Sequence, residues 1–177
     1  MRLGVMCSGN GTNFENIVRT CREDEVVVMV HNKDKCGAAK RAEKLGIPHT
    51  HIKSKNEGLI IDVMKAWKVD LIVLAGWMRI LSPKLIEAFP NQIINLHPSM
   101  LPKYKGLHAI ERALDNGDKM TGVSVHYVNE ELDGGEVILQ SEVPILPNDD
   151  LESLTKAIQR REYYVLPKAI EHVKSNL

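Results

Sequence analysis

Two strand-length runs that are apolar without interruption, residues 26–30 (VVVMV) and 71–75 (LIVLA), constrain this chain more than any other feature. A strand with one wet face alternates apolar and polar residues, whereas an unbroken run needs cover on both faces. Strands of that kind belong to parallel sheets flanked by helices. Further apolar segments at 3–7, 48–52 and 92–96 alternate with helix-like stretches at 13–21, 37–45 and 58–67, a βαβ rhythm. The pattern predicts an α/β fold: an open, twisted, mostly parallel sheet with helices on both faces. Residues 122–128 and 137–143 read as two more strands, joined by an acidic turn that ends in Gly134 and Gly135. After the helix-start signal at 147–150, apolar residues at Leu151, Leu154, Ile158, Val165, Ala169 and Val173 keep a helical period, so a long helix closes the chain. With 177 residues and no repeat or linker, a single domain over residues 1–177 is expected.

Composition narrows the partners. Twenty-three basic side chains balance 23 acidic ones, so no global positive field attracts a nucleic acid. Cys7, Cys21 and Cys36 are an odd number without C-x-x-C spacing, which suggests neither a disulfide framework nor a zinc ribbon and fits a reducing cytoplasm. No apolar run reaches membrane-spanning length, and the N-terminus lacks a signal peptide. A soluble, cytoplasmic protein is expected, with no membrane or nucleic-acid partner.

Five groups of residues could carry chemistry. Asn95 and His97 leave an extended backbone on the same side, where the 92–96 strand breaks into a proline-bearing loop. An amide donor beside an imidazole can polarise a carbonyl oxygen and move a proton, although either residue alone is more often a structural hydrogen-bonding group. The loop Ser8-Gly9-Asn10-Gly11-Thr12-Asn13 follows a strand and opens a helix, a place where backbone N–H groups favour a phosphate. It lacks the lysine of a P-loop and the third glycine of a dinucleotide fingerprint; the plainer alternative is a turn with Thr12 or Asn13 as N-cap. Asp133 sits in a Leu-Asp-Gly-Gly turn and either bonds its own backbone or, if folded near His97, stabilises the imidazolium and raises its pKa above about 6.5. Met78, Arg79, Ile80 and Leu81 follow a strand and offer an apolar slot for a flat heteroaromatic ring, or ordinary core packing. Gln159 and Glu162 stand three apart on the closing helix, about 5–6 Å apart at Cβ, and read first as a solvated stripe. His108 and His126 lack zinc-ligand spacing, so no metal is expected.

Taken in order, residues 8–13 (SGNGTN), 74–81 (LAGWMRIL), 95–108 (NLHPSMLPKYKGLH) and 131–135 (ELDGG) closely resemble the folate-dependent formyltransferases. The Asn-x-His-Pro-Ser core is shared across that family and specifies formyl chemistry. The glycine loop, the Gly-Leu-His at 106–108 and the Glu-Leu-Asp-Gly-Gly turn are similar to its phosphoribosylglycinamide branch. The resemblance implies a Rossmann-like formyltransferase fold and 10-formyltetrahydrofolate as formyl donor. It matches Asn95, His97 and Asp133 to a catalytic trio, and Gly11, Thr12 and Asn13 to the ribonucleotide phosphate. Met78 to Leu81, with Asn95, match folate contacts, as do Asn129, Glu130, Glu131, Leu132 and Asp133. Gln159 and Glu162 match positions that orient the glycinamide ribonucleotide. Residues 53–70 are shorter than in typical bacterial members; Lys53 or Lys55 is left to stand for an arginine that many use for the folate. A cis peptide is expected at Leu101-Pro102.

The same resemblance implies small-molecule substrates and a monomer or homodimer. A methionyl-tRNA formyltransferase fits poorly, since the acidic turn differs and the chain has no room for a nucleic-acid domain. A formyltetrahydrofolate deformylase-like hydrolase, with water as acceptor, is one alternative. A non-catalytic phosphosugar-binding Rossmann module is the other, and the joint presence of Asn95, His97 and Asp133 argues against it.

Overall fold

The computed structural model describes residues 1–177. Its elements run β1 (Arg2–Cys7), α1 (Thr12–Thr20), β2 (Glu25–His31), α2 (Gly37–Leu45), β3 (His49–His51), α3 (Glu57–Ala66), β4 (Leu71–Leu74), α4 (Pro83–Ala88), β5 (Ile93–His97), α5 (Ala109–Asp115), β6 (Met120–Tyr127), β7 (Val137–Pro144) and α6 (Leu151–Ser175). The seven strands form one sheet in the order β3-β2-β1-β4-β5-β6-β7. The chain resolves into two compact units, Met1–Asn95 and Leu96–Leu177.

In the first unit β1 pairs in parallel with β2 and β4, β2 with β3, and β4 with β5. The unbroken apolar runs lie where they are covered on both faces: Val26 to Val30 and Leu71 to Leu74 are all buried. A parallel ladder needs a crossover between paired strands, and α1, α2, α3 and α4 supply the connections. Gly4 in β1 shows how closely a helix approaches the sheet, because a Cβ there would come within 2.5 Å of the Met64 sulfur on α3.

The second unit is built differently. β6 and β7 pair antiparallel, and α6 packs against both. The apolar face of α6 buries Leu154, Ile158, Val165, Leu166, Ala169, Ile170 and Val173. Its start is fixed by a reciprocal capping box, in which the Asp150 carboxylate accepts from the Ser153 N–H and the Ser153 hydroxyl accepts from the Asp150 N–H. The Leu101-Pro102 peptide is cis.

Predicted strands and helices agree with the structure to within one or two residues at their ends. Two short helices, α4 and α5, were not expected from the pattern. Six and seven residues are fewer than two turns, too short for a helical period to emerge. The core location makes a simple contrast. Ile72, fully buried in β4, is expected to cost about 2–5 kcal/mol when cut to alanine. The half-exposed Met120 at the start of β6 is expected to cost within about 0.5 kcal/mol. Urea unfolding of the two variants checks the assignment.

Candidate functional site

In the first unit, the loop after β1 is fixed by contacts from two segments, the chain after β4 and helix α2. The Ser8 N–H donates to the Gly76 carbonyl at 3.0 Å, and the Met78 N–H donates to Ser8 Oγ at 2.8 Å. The Ala38 N–H at the start of α2 donates to the Gly9 carbonyl. Arg41, from the same helix, donates through Nε to the Asn10 carbonyl at 2.7 Å and pairs through Nη1 with Glu15 at 2.8 Å. Cys7, just before the loop, is fully buried; burial pushes its thiol pKa far up, and Cys36 adds to the rise.

The helix start differs from the alternative drawn from sequence. The N-cap of α1 is Gly11, in the left-handed conformation at φ +76°, and no side chain caps the helix. Neither Thr12 nor Asn13 takes that role, since both already lie inside the helix. The backbone N–H groups of the first turn therefore have no side-chain cap, the arrangement suited to an anion. Gly11 is also packed tightly: a Cβ there would lie 2.6 Å from the Ala38 Cα.

After β4 the chain exposes Met78 (60%) and Ile80 (73%) while Leu81 is buried. Arg79 is also exposed. Two large apolar side chains held out to solvent beside Ser8 depart from core packing and fit a flat apolar ligand. Lys53 and Lys55 both line a cleft of about 520 Å³ with His51, Ile52, Asn56 and Leu59. Asn95, half-buried, stands on β5 two residues before His97, so the two side chains leave the strand on the same side.

The second unit brings together His97, Asp133 and two groups that sequence reasoning did not select. His97 is buried. Its Nε2 lies 2.8 Å from the Tyr104 carbonyl oxygen, and its Nδ1 lies 3.5 Å from Asp133 Oδ2. A carbonyl only accepts, so Nε2 carries a proton. Asp133 also accepts from the Gly106 N–H at 2.7 Å and faces His126 Nε2 at 3.5 Å. His126 is fixed in turn by its Nδ1, 2.9 Å from the Tyr127 carbonyl. Burial acts to raise the Asp133 pKa, but the His126 side chain, the Gly106 N–H and the charges of His97 and His126 outweigh it and hold the carboxyl below its ordinary 3.8.

Asp133 itself adopts φ +50°, which an L-residue rarely does. The turn is anchored at Gly135, where a Cβ would fall 1.7 Å from the Tyr127 carbonyl oxygen. Asn129, Glu130, Glu131 and Leu132 form its exposed outer arm. Asn129 Oδ1 accepts from the Glu131 N–H, and Lys105 Nζ pairs with Glu131 at 3.2 Å. Gln159 is exposed and Glu162 half-buried on α6. Sequence signals for Tyr104 and Arg41 are absent because both act through backbone carbonyls. His126 had one signal: it falls in a strand whose other residues are apolar or small, where a buried polar group needs a partner.

A family model described as formyl transferase matches residues 1–170. The chain is 39% identical over 181 residues to the phosphoribosylglycinamide formyltransferase of Escherichia coli (strain K12), covering 96% of this chain and 85% of that protein. It is 38% identical over 182 residues to the trifunctional purine biosynthetic protein adenosine-3 of Drosophila melanogaster, covering 96% of this chain and 14% of that much longer one. A solved phosphoribosylglycinamide formyltransferase from Anaplasma phagocytophilum superposes with a TM-score of 0.94 at 37% identity, over 96% of this chain and 85% of that one.

The electrostatics of Asp133 predict an acid limb. Because its folded pKa lies below the unfolded value of about 3.9, the ionised carboxylate contributes stability above that value, and the contribution fades as pH falls through the folded pKa. Asp133→Asn is expected to flatten the fall in stability below about pH 4. Urea midpoints measured across that range check it; an unchanged slope would contradict it.

Proposed function

The chain belongs to the formyl transferase family, and from that premise we propose that it moves the formyl group of 10-formyltetrahydrofolate to the amine of 5'-phosphoribosylglycinamide in purine synthesis. The observation that carries the reading is His97: both ring nitrogens face acceptors, the Tyr104 carbonyl and the Asp133 carboxylate. Protonated on both nitrogens, the ring pairs with each. Such a cation, buried two residues beyond Asn95 on one strand, is suited to stabilising negative charge on oxygen.

The chemistry follows from those groups. The amine nitrogen attacks the formyl carbon, the new C–N bond forms, and the carbonyl electron pair moves to oxygen. Asn95 donates its amide N–H to this oxyanion and His97 supplies positive charge. Of the two His97 protons, the one on Nδ1 is held less closely, at 3.5 Å against 2.8 Å, so it is the one offered to the reaction. Asp133 stabilises and orients the imidazolium. Collapse re-forms the C=O bond and breaks the bond to N10, which takes up a proton as the attacking nitrogen loses one. His97 and a water share these transfers.

Gly11, Thr12 and Asn13 hold the ribonucleotide phosphate, supported by the uncapped start of α1. That remote grip positions a small amine. Gln159 and Glu162 orient the same substrate. Met78, Arg79, Ile80 and Leu81, with residues 129–133, hold the folate; the exposed Met78 and Ile80 fit its ring. Lys53 or Lys55 takes the place of the family's folate-contacting arginine. The protein acts in the cytoplasm as one formyltransferase domain over residues 1–177, a monomer or homodimer whose partners are small molecules; no helix is long and apolar enough to cross a membrane.

The test mixes the protein with 10-formyltetrahydrofolate and glycinamide ribonucleotide and follows release of tetrahydrofolate beside an acceptor-free control. Acceptor-dependent turnover is expected; turnover without acceptor indicates a deformylase, and none at all refutes catalysis. His97→Ala is expected to abolish turnover while leaving ribonucleotide affinity within about twofold, as for a group acting in the transition state. Gly11→Ala should do the reverse. With its Cβ driven against Ala38, KM for the ribonucleotide should rise about tenfold or more, the scale of one lost charge-assisted hydrogen bond.

A further inference from the structure

The carbonyl that binds His97 belongs to a residue in an unusual backbone conformation. Tyr104 has φ +54°, in the left-handed region that side chains other than glycine rarely occupy. Left alone, such a residue relaxes toward negative φ and its carbonyl turns away. Here the side chain is tethered. Its phenol donates to Asp118 Oδ2 at 2.6 Å, and the Arg112 guanidinium lies 5.5 Å from the ring centroid. Arg112 also donates through Nη2 to the carbonyl of Lys105, the next residue. Asp118 is itself held by Asn116 Nδ2 at 2.7 Å and through its own N–H by the Ala113 carbonyl. The link is strong enough to show in both partners: Asp118 holds the Tyr104 phenol above its ordinary pKa, and the phenol holds the Asp118 carboxyl below its own.

We infer that Tyr104, anchored by Asp118 and Arg112, is a positioning residue that keeps the proton on Nε2 of His97 and so leaves Nδ1 as the nitrogen that exchanges protons in catalysis. This rests on the catalytic reading of His97 given above. The reason is a competition between two acceptors. Asp133 alone would favour a neutral ring protonated at Nδ1, which has nothing left to give on the other side. The Tyr104 carbonyl accepts only from an Nε2–H ring, so the neutral ring that follows proton transfer carries its hydrogen on Nε2 and its lone pair on Nδ1, ready to be recharged there. Asp118 lies after α5 and His97 on β5, so the link acts through the tyrosine and not by contact with His97.

Tyr104→Phe removes one oxygen and leaves the ring beside Arg112; Asp118→Ala removes its acceptor, and Asp118→Asn keeps one. Tyr104→Phe and Asp118→Ala should each lower kcat about tenfold, the scale of one net hydrogen bond, with both KM values within about twofold. The double variant should be no slower than either single one, because both break the same link. Asp118→Asn should recover most of the rate. In histidine-¹⁵N-labelled protein, at alkaline pH where the ring has given up one proton, the His97 signals, identified by their loss in His97→Ala, should move from the Nε2–H tautomer toward Nδ1–H in Tyr104→Phe. Wild-type kcat in Tyr104→Phe, or wild-type His97 signals in it, overturns the proposal. If Asp118→Ala does not fold, Tyr104→Phe alone decides. If the wild-type protein transfers no formyl group, the reading of the reaction fails, while the ring signals still decide whether Tyr104 fixes the tautomer.

Discussion

The functional loops of the first unit depend on one constraint, the parallel register that β4 keeps with the strands on either side of it. Met6 pairs with Leu74, and Leu74 pairs with Asn95. The backbone groups of buried strands have no water to turn to, so each must find its partner in the ladder, and a slip of one residue would turn every side chain to the other face. The three strands therefore end in step. Ser8 and Gly76 reach the carboxyl edge of the sheet at the same level, and Asn95 stands two residues short of it beside Leu74, at the edge where open α/β sheets place their ligands. The hydrogen bonds from Ser8 to Gly76 and from Met78 to Ser8 follow from that alignment.

Much of this was legible in the sequence, for reasons that differ from element to element. The strands could be read because burial on both faces leaves an unbroken apolar run, as in β2 and β4. The closing helix was readable from its period and from Asp150, whose capping role is written in the local sequence. Asn95 and His97 were visible because strand geometry alone puts them on one side. By its local sequence Asp133 was a turn residue, and the family resemblance was what set it beside His97; the approach spans 36 positions of chain and comes from folding. Tyr104 and Arg41 were illegible, since what they contribute is a carbonyl orientation and a brace on a distant backbone. The plainer alternative for the glycine loop, Thr12 or Asn13 as N-cap, fails although both are good caps by type, because the tight approach of Ala38 selects a residue without a Cβ one position earlier.

The second unit concentrates several rare features in a small volume. Tyr104, His108 and Asp133 all hold positive φ without being glycine, and two of the three lie in direct contact with His97. Conformations of this sort persist only when the surroundings over-determine them. Asp133 shows how: one carboxylate answers an N–H and two imidazoles, so that moving it would leave three buried polar groups short of a partner. The charge balance matters as much as the geometry. A single carboxylate neutralises one imidazolium, and the second histidine is turned by its bond to Tyr127 so that its Nε2 faces the carboxylate, where His97 presents Nδ1.

The buried thiol of Cys7 gives the first strand a reporter of its own. The thiolate is the form that reacts with oxidants and alkylating reagents, and a thiol held protonated by burial is silent to both. Cys21 and Cys36 are only half-buried. A thiol-reactive dye added to the native protein thus registers the two surface positions at once and the third only when β1 leaves the sheet. Since the phosphate-loop candidate begins at the very next residue, the rate of that third reaction measures how often the platform beneath the loop comes apart.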